Sequence, residues 1–437
     1  MEAGVSAEWD RLRTVVVHRP GIEMFFGLLE PFSALYERAF SRHLARREHE
    51  RLEFVLKNEF SVDVLPFKET LLDLADRVPP VRENLISASS GEVSYRGPAK
   101  VISAASAEMA KNAHFLDSGH FFNILLLRPT IGIRPKKGSR DIHLHITERE
   151  PLANLYFMRD QQAITDRGVC LSRMAKPQRE RETVLTRLFW NSMGIPITHE
   201  TAAPGTFEGG DFIPMGSFAL VGTGDRTNVD GAKQLLSSGV GFDEIAIVNQ
   251  PKHPLVPGGR EDPMITMHLD TYCNVAAEGV VVGSRTLLEH AQVEVYQRCG
   301  SGYEPVGKTG KKDRINLFSF LKEKDCEVID VTTLEQLAYA PNFLCIGNRT
   351  ILSVEVDRVA GRVLENLRVK AAAEPARYGR LLAKAEEDYR RLRFEGQFFP
   401  HKKEVYRHDI DAYPIVLENL TGGYGGAHCM TCAVRRN

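Results

Sequence analysis

Four short clusters hold the residue types that could do chemistry. The first is residues 421–436, TGGYGGAHCMTCAVRR, in which four glycines at 422, 423, 425 and 426 stand just before Cys429. Glycine permits positive φ and lets the backbone approach a neighbour closely, so this loop can present one sulfur in a cleft. The others are NLYFMRD at 154–160, FEGGD at 207–211 and MHLDT at 267–271. They supply His268 and the carboxylates Asp160, Glu208, Asp211 and Asp270.

A cysteine nucleophile needs its thiolate favoured by positive charge or a base. His268 is the natural partner, and Asp270 two residues on shares its face in an extended segment. Gly209 and Gly210 allow close packing beside a ligand. Asp160 follows Leu155-Tyr156-Phe157-Met158 and is expected to project from a buried strand, where a carboxylate needs a partner. Several carboxylates around one cysteine oppose thiolate formation unless a cation enters, and a planar guanidinium suits paired carboxylates best. Cys429 and Cys432 also spell C-x-x-C, a redox or zinc pattern in other settings. Cys170, Cys273, Cys299, Cys326 and Cys345 offer no second pair at such spacing. His143 and His145, two apart, could ligate a metal from one strand face, but no third ligand lies near in sequence and two ordinary strand histidines are the simpler reading.

These groups need a scaffold, and the apolar pattern points to α/β units. RTVVV at 13–17 and SVDVLPF at 61–67 read as strands, with one or two long amphipathic helices over 31–59 between them. Residues 68–130 read as a mostly helical insertion. Strands are expected at 218–224, 244–248, 279–284, 326–331 and 343–347, with helices at 229–236 and 286–298. Residues 358–394, rich in Ala, Leu, Arg and Glu, predict a helical excursion of two helices that meet near Glu374, before Pro375. The 437 residues suffice for one large domain, and Lys plus Arg number 56 against 57 for Asp plus Glu. That balance gives no electrostatic grip on nucleic acid or membrane. No apolar run reaches the roughly 18 residues of a membrane helix. The seven scattered cysteines and the absence of a basic-then-apolar leader predict a cytoplasmic protein with reduced thiols.

Together the four clusters resemble the motifs of the arginine deiminases, in the guanidine-modifying, amidinotransferase-fold superfamily. NLYFMRD is similar to N-x-x-F-T-R-D, FEGGD to E-G-G-D, MHLDT to M-H-L-D-T and GGAHCM to G-x-x-R-C-M. The resemblance runs from RTVVVHRPG to Cys429. It implies one catalytic domain over 1–437, a five-module pseudo-fivefold α/β-propeller with helical insertions. It also implies hydrolysis of L-arginine to citrulline and ammonia without metal or organic cofactor. In the roles it implies, Cys429 attacks the guanidinium carbon and His268 shuttles protons. Asp160 and Asp270 grip the guanidinium, and Glu208 orients His268. Asn154, Arg179 in RERET and Arg226 in GDRTN bind the substrate carboxylate, and Asp211 joins the substrate site. Two positions depart from the motifs: His428 replaces the arginine before the cysteine, and Gln161 replaces the proline after Arg-Asp. An arginine dihydrolase releasing ornithine, an amidinotransferase, and a non-catalytic guanidine-binding regulatory protein share these motifs as alternatives. A homo-oligomer is compatible with the sequence, which carries no signature of oligomeric state.

Overall fold

The computed structural model describes residues 3–135, 142–258, 262–300, 302–306 and 315–437. Five sheets repeat one plan: an antiparallel strand pair, then a third strand parallel to the second. The plan holds for Gln162–Thr165, Gly168–Leu171 and Ile197–Glu200. It holds again for Phe212–Met215, Phe218–Thr223 and Glu244–Asn249. Cys273–Ala277, Val280–Gly283 and Glu327–Asp330 follow it, as do Leu344–Gly347, Thr350–Val354 and Asp411–Ile415. The fifth set draws on both ends of the chain: Cys432–Arg436 pairs antiparallel with Leu12–Val17, which runs parallel to Asp63–Pro66. The middle strands are apolar runs because both faces are covered; every residue of Phe218–Thr223 is buried.

Between the second and third strands the chain crosses over, as parallel pairing requires, most often by a helix. Val229–Ser238 is one such helix, started by Asn228, whose side chain accepts the Gly231 N–H. In the fourth set the crossover is a hairpin of Val356–Ala373 and Pro375–Glu395, meeting at Glu374. Val356, Val359, Ala360, Val363, Leu364 and Leu367 form its buried stripe at helical spacing. The hairpin is stitched to the segment that leads into MHLDT. Lys370 Nζ donates to both oxygens of Asp262, at 2.8 and 2.7 Å, and Tyr378 donates to Oδ2 at 2.6 Å. Helices Phe67–Arg77, Pro79–Ser90, Ala99–Asn112 and Ser118–Leu127 occupy most of the segment after Asp63–Pro66. They are interleaved with a sixth, separate sheet of Ser94–Arg96, Thr130–Pro135 and Ile142–Glu148, whose first strand lies between the second and third helices. Among the described residues no helix is long and apolar enough to cross a membrane.

Three local expectations are corrected. Residues 31–41 are not helical. Helices occupy Ile22–Gly27 and Arg42–Asn58, the second capped by Ser41, and Leu35 between them sits at φ 61, a left-handed conformation that no helix tolerates. Residues 286–298 are mostly strand: only Arg285–Leu288 is helical, and Gln292–Cys299 pairs with Glu244–Asn249. The alternation of Val293 and Val295 with polar residues is the period-two signal that decides it. Asp160 leaves a turn just ahead of the strand Gln162–Thr165 rather than projecting from a strand. The His143 side chain lies outside the described residues, so the His-x-His pair is not assessed further.

Candidate active site

Each functional cluster sits immediately before the first strand of one set. Asp160 precedes Gln162–Thr165, the turn Gly209–Asp211 precedes Phe212–Met215, the turn Leu269–Thr271 precedes Cys273–Ala277, and Cys429 precedes Cys432–Arg436. The remaining set carries Asn342 in the same slot, before Leu344–Gly347. Equivalent edges of five similar sheets thus converge on one place.

The glycines serve close approach. A Cβ on Gly210 would lie 2.8 Å from the His268 ring and 3.1 Å from Asp160 Oδ1. One on Gly425 would lie 2.6 Å from the Phe157 ring and 2.9 Å from Cys429 Cβ. The positive φ in the cysteine loop belongs instead to Tyr424, at 74°, a conformation that costs a non-glycine residue roughly 1–2 kcal/mol.

Cys429, His268, Glu208, Asp160 and Asp270 are all buried and adjoining. Cys429 Sγ lies 3.5 Å from Asp270 Oδ2. His268 Nε2 bonds Glu208 Oε2 at 2.9 Å, and its Nδ1 lies 3.7 Å from Asp160 Oδ1. His268 and Asp270 do not share an extended segment, as their spacing suggested. His268 is extended, but Asp270 lies in a 3-10 turn, and that turn aims the carboxylate at the sulfur. Three polar atoms around this centre have no hydrogen-bond partner: Asp160 Oδ1, Asp270 Oδ1 and His268 Nδ1. Leaving such atoms unpaired costs roughly 1–3 kcal/mol each. Asp160, Glu208 and His268 also bring ligand-type atoms within 4.8 Å of one another, but the Glu208–His268 hydrogen bond already uses two of the three.

A cavity of about 10 Å³, room for a single water, is bordered by Cys429, Asp160, Asn154, Arg179, Arg226 and Leu35 among others. The two arginines differ. Arg179 is fully engaged, donating from Nη1 to Asp160 Oδ2 at 2.6 Å and from Nε and Nη2 to Glu182. Arg226 has Nε and Nη1 without hydrogen bonds, although Glu208 lies 3.9 Å and Asp225 3.4 Å away. Asn154 Nδ2 donates to the Ala34 carbonyl at 2.6 Å. Asp211 lies behind the cavity rather than in it, with its Oδ1 accepting the Leu269 N–H at 2.9 Å. It therefore shapes the turn between His268 and Asp270. Gln161 turns away from the cavity and donates to Glu182 at 2.6 Å.

The charges are unevenly matched. Burial, then Asp270 and Asp160, push the Cys429 thiol well above its ordinary range. Burial opposes charge on His268, but Asp160, the Glu208 hydrogen bond and Asp211 outweigh it and raise the imidazole to about 9. Glu208 is held below the usual carboxylate range despite burial, by Arg226 and His268. Burial raises Asp211 to about 6. At neutral pH the site therefore holds a protonated imidazole and a thiol kept protonated by burial and by two aspartates. Cys432 is likewise pushed up by burial, to about 12.

Sequence reasoning missed Asn342. Its Oδ1 accepts the N–H groups of Gly426 at 2.7 Å and Cys429 at 3.2 Å, and its Nδ2 donates to the Asp270 carbonyl at 3.2 Å. One buried amide thus ties the nucleophile loop to the Asp270 turn. The signal was positional: Asn342 precedes an apolar strand just as the four recognised clusters do. Glu8, which pairs with His428, and Arg159 and Arg436, which pair with Glu8, were missed as well.

Comparison with known proteins agrees with this geometry. The family model for arginine deiminase matches residues 33–436. Arginine deiminase of Halobacterium salinarum is 24% identical over 99% of this chain and 96% of its own length. That of Rhodococcus erythropolis is 25% identical over 99% of this chain and 97% of its own. Among solved structures, an asparagine-to-serine variant of the N-terminal domain of ArgZ, covalently bonded to a reaction intermediate, aligns with a TM-score of 0.51 at 12% identity. That alignment covers 97% of this chain and 98% of that one and speaks for the α/β fold. With the model spanning nearly its whole length, the chain belongs to the arginine deiminase family.

Proposed function

We propose that the protein hydrolyses L-arginine to L-citrulline and ammonia through a covalent intermediate on Cys429. The observation that carries this reading is the trio of unpartnered atoms beside the thiol: Asp160 Oδ1, Asp270 Oδ1 and His268 Nδ1. A guanidinium between the two aspartates gives each oxygen an N–H donor. It also supplies the positive charge whose lack keeps the thiol protonated. The nucleophile is then activated by its own substrate.

In the proposed sequence the Cys429 thiol gives its proton to solvent as the guanidinium binds, and the thiolate bonds to the guanidinium carbon. Protonated His268 gives its proton to the departing nitrogen, which leaves as ammonia while a thiouronium remains on sulfur. Neutral His268 then takes a proton from water as its oxygen bonds to the same carbon. The C–S bond breaks as the hydroxyl proton passes to sulfur, which leaves the urea group of citrulline and returns Cys429 as the thiol. Glu208 orients His268 and keeps it charged for the first step. Arg226 and Asn154 are assigned to the substrate carboxylate, Arg226 through its two unbonded N–H groups. Arg179 takes that role only by loosening its hold on Asp160 and Glu182. Asp211 supports the site from behind by holding the His268–Asp270 turn.

We further infer that the five sheets close into a pseudo-fivefold α/β propeller within a single catalytic domain. Their shared pairing plan and the joining of both chain ends in one sheet support this. Residues 68–130 and 358–394 are the helical insertion and excursion of that domain. A cytoplasmic setting with reduced thiols fits the seven free cysteines. The test is incubation with L-arginine, and separately with agmatine, followed by product assays. Citrulline with equimolar ammonia from arginine alone is expected. Ornithine would move the protein to the dihydrolases, and no product from arginine would overturn the reading.

A further inference from the structure

The residue before the nucleophile does not face the cavity. His428 is fully buried, with Nδ1 2.7 Å from Asp270 Oδ2 and Nε2 3.4 Å from Glu8 Oε1. A carboxylate only accepts, so the ring nitrogen that bonds Asp270 is the donor. Glu8 comes from the N-terminal segment, far from any motif. Its Oε1 also receives Arg159 Nη1 at 3.1 Å, and its Oε2 receives Arg436 Nη2 at 2.8 Å. A buried relay therefore runs from the Cys429 sulfur through Asp270 and His428 to Glu8, and ends on two arginines.

The relay fixes which Asp270 oxygen is available. Oδ2 is claimed by His428 and lies against the thiol, so Oδ1 alone is open. Asp160 is arranged in the same way, with Oδ2 on Arg179 and Oδ1 open. Each aspartate thus offers one oxygen, and the guanidinium is gripped by two single contacts from different carboxylates rather than by a two-pronged fork. Without His428, the Asp270 carboxylate could turn about its last bond and present neither oxygen reliably.

We propose that His428, anchored by Glu8, is a positioning residue that fixes the Asp270 carboxylate with one oxygen toward the guanidinium and the other against the thiol. This rests on the deiminase reading of the site and deepens it. His428 acts only through Asp270 and touches no substrate. A role limited to filling space is disfavoured, because an apolar side chain of similar size would leave Asp270 Oδ2 without its shortest partner in a buried setting.

The test compares His428→Leu, His428→Gln and Glu8→Gln with the wild-type protein, each checked by thermal melting. Gln can still donate to Asp270, whereas Leu cannot. His428→Leu should lower kcat/KM for arginine by about ten- to a hundredfold, the weight of one hydrogen bond to a charged group, chiefly through KM. His428→Gln should recover most of that loss. Equal values for Leu and wild type, or an equal loss in Leu and Gln, would overturn the proposal. A second readout does not depend on arginine being the substrate: the rate at which iodoacetamide alkylates Cys429, followed by peptide mass mapping because Cys299 is exposed. Slower alkylation in His428→Leu but not in His428→Gln supports the relay even if arginine is not turned over, and unchanged rates overturn it. Should His428→Leu fail to fold, Glu8→Gln probes the far end of the relay. A severalfold loss of kcat/KM is expected there, and wild-type kinetics would count against the relay.

Discussion

Replacing Glu208 by Gln isolates the charge that holds the His268 proton. In the wild-type protein Glu208 Oε2 lies 2.9 Å from His268 Nε2, while its Oε1 accepts the Ala175 N–H at 2.9 Å. Gln keeps the second bond through its own Oε1, which turns its NH₂ toward His268. A donor then faces the ring, which suits the neutral imidazole and penalises the charged one. A hydrogen bond between charged groups contributes about 1.5–3 kcal/mol, or about one to two pKa units. His268, raised to about 9 in the folded protein, should fall to about 7–8 in the variant. The basic limb of the kcat profile should move down with it, and kcat at pH 8.5 should drop severalfold. The sign for stability follows from a folded value above the ordinary 6.5. The His268 contribution is fully present below about pH 6.5 and is lost as pH rises through about 9. The variant should thus be less stable than wild type by about 1.5–3 kcal/mol at pH 6, with the gap closing above pH 9. Imidazole NMR titration, a pH–rate profile and urea melts at two pH values read all three. A basic limb and a His268 titration that both stay in place in a folded Glu208→Gln protein would refute the reasoning.

Three further perturbations bear on the same site. Cys432→Ser should retain near-wild-type turnover, since that buried thiol has no place in the proposed chemistry; loss of activity with unchanged melting would favour a redox role for the C-x-x-C pair. Asp211→Asn keeps an acceptor for the Leu269 N–H and removes a carboxylate that burial raises to about 6. Because that folded value lies above the ordinary one, wild-type stability is lost as pH rises through about 6, so the variant should gain about 2 kcal/mol relative to wild type between pH 4 and pH 8; a relative loss over that interval in melts would contradict this. Asn342→Ala strands the Gly426 and Cys429 N–H groups at roughly 1–3 kcal/mol each, so a clear drop in urea midpoint and at least a tenfold fall in kcat are expected. Wild-type kcat in that variant would remove Asn342 from the support of the nucleophile.

What the sequence disclosed, and what it hid, follows from range. Phe218–Thr223 was legible because a strand covered on both faces is written as a continuous apolar run. The two helices meeting at Glu374 were legible because Pro375 marks the break locally. Gln292–Cys299 was misread because its alternation is diluted by charge on the exposed face, and residues 31–41 because a single left-handed Leu35 undoes an otherwise amphipathic pattern. Cys429, His268, Glu208, Asp160 and Asp270 were nameable because they fall in four compact clusters, His268 and Asp270 sharing one. Asp211 shares such a cluster yet points behind the cavity, a distinction only the turn geometry makes. Glu8 and Arg436 act through contacts 420 and more residues apart, and no local pattern announces a partner brought in from the opposite end of the chain. Asn342 occupies the same slot as the four clusters but lacks a glycine or an acid beside it to draw notice.

The most direct test of the central claim is a covalent trap. The protein is mixed with L-arginine, quenched in acid within the first turnovers and analysed by intact mass and peptide mapping. An adduct of arginine less ammonia, carried by the Cys429 peptide, absent in Cys429→Ser and decaying as citrulline appears, is the predicted result. Citrulline formed by the Cys429→Ser protein at the wild-type rate, or an adduct on a peptide other than that of Cys429, would contradict it.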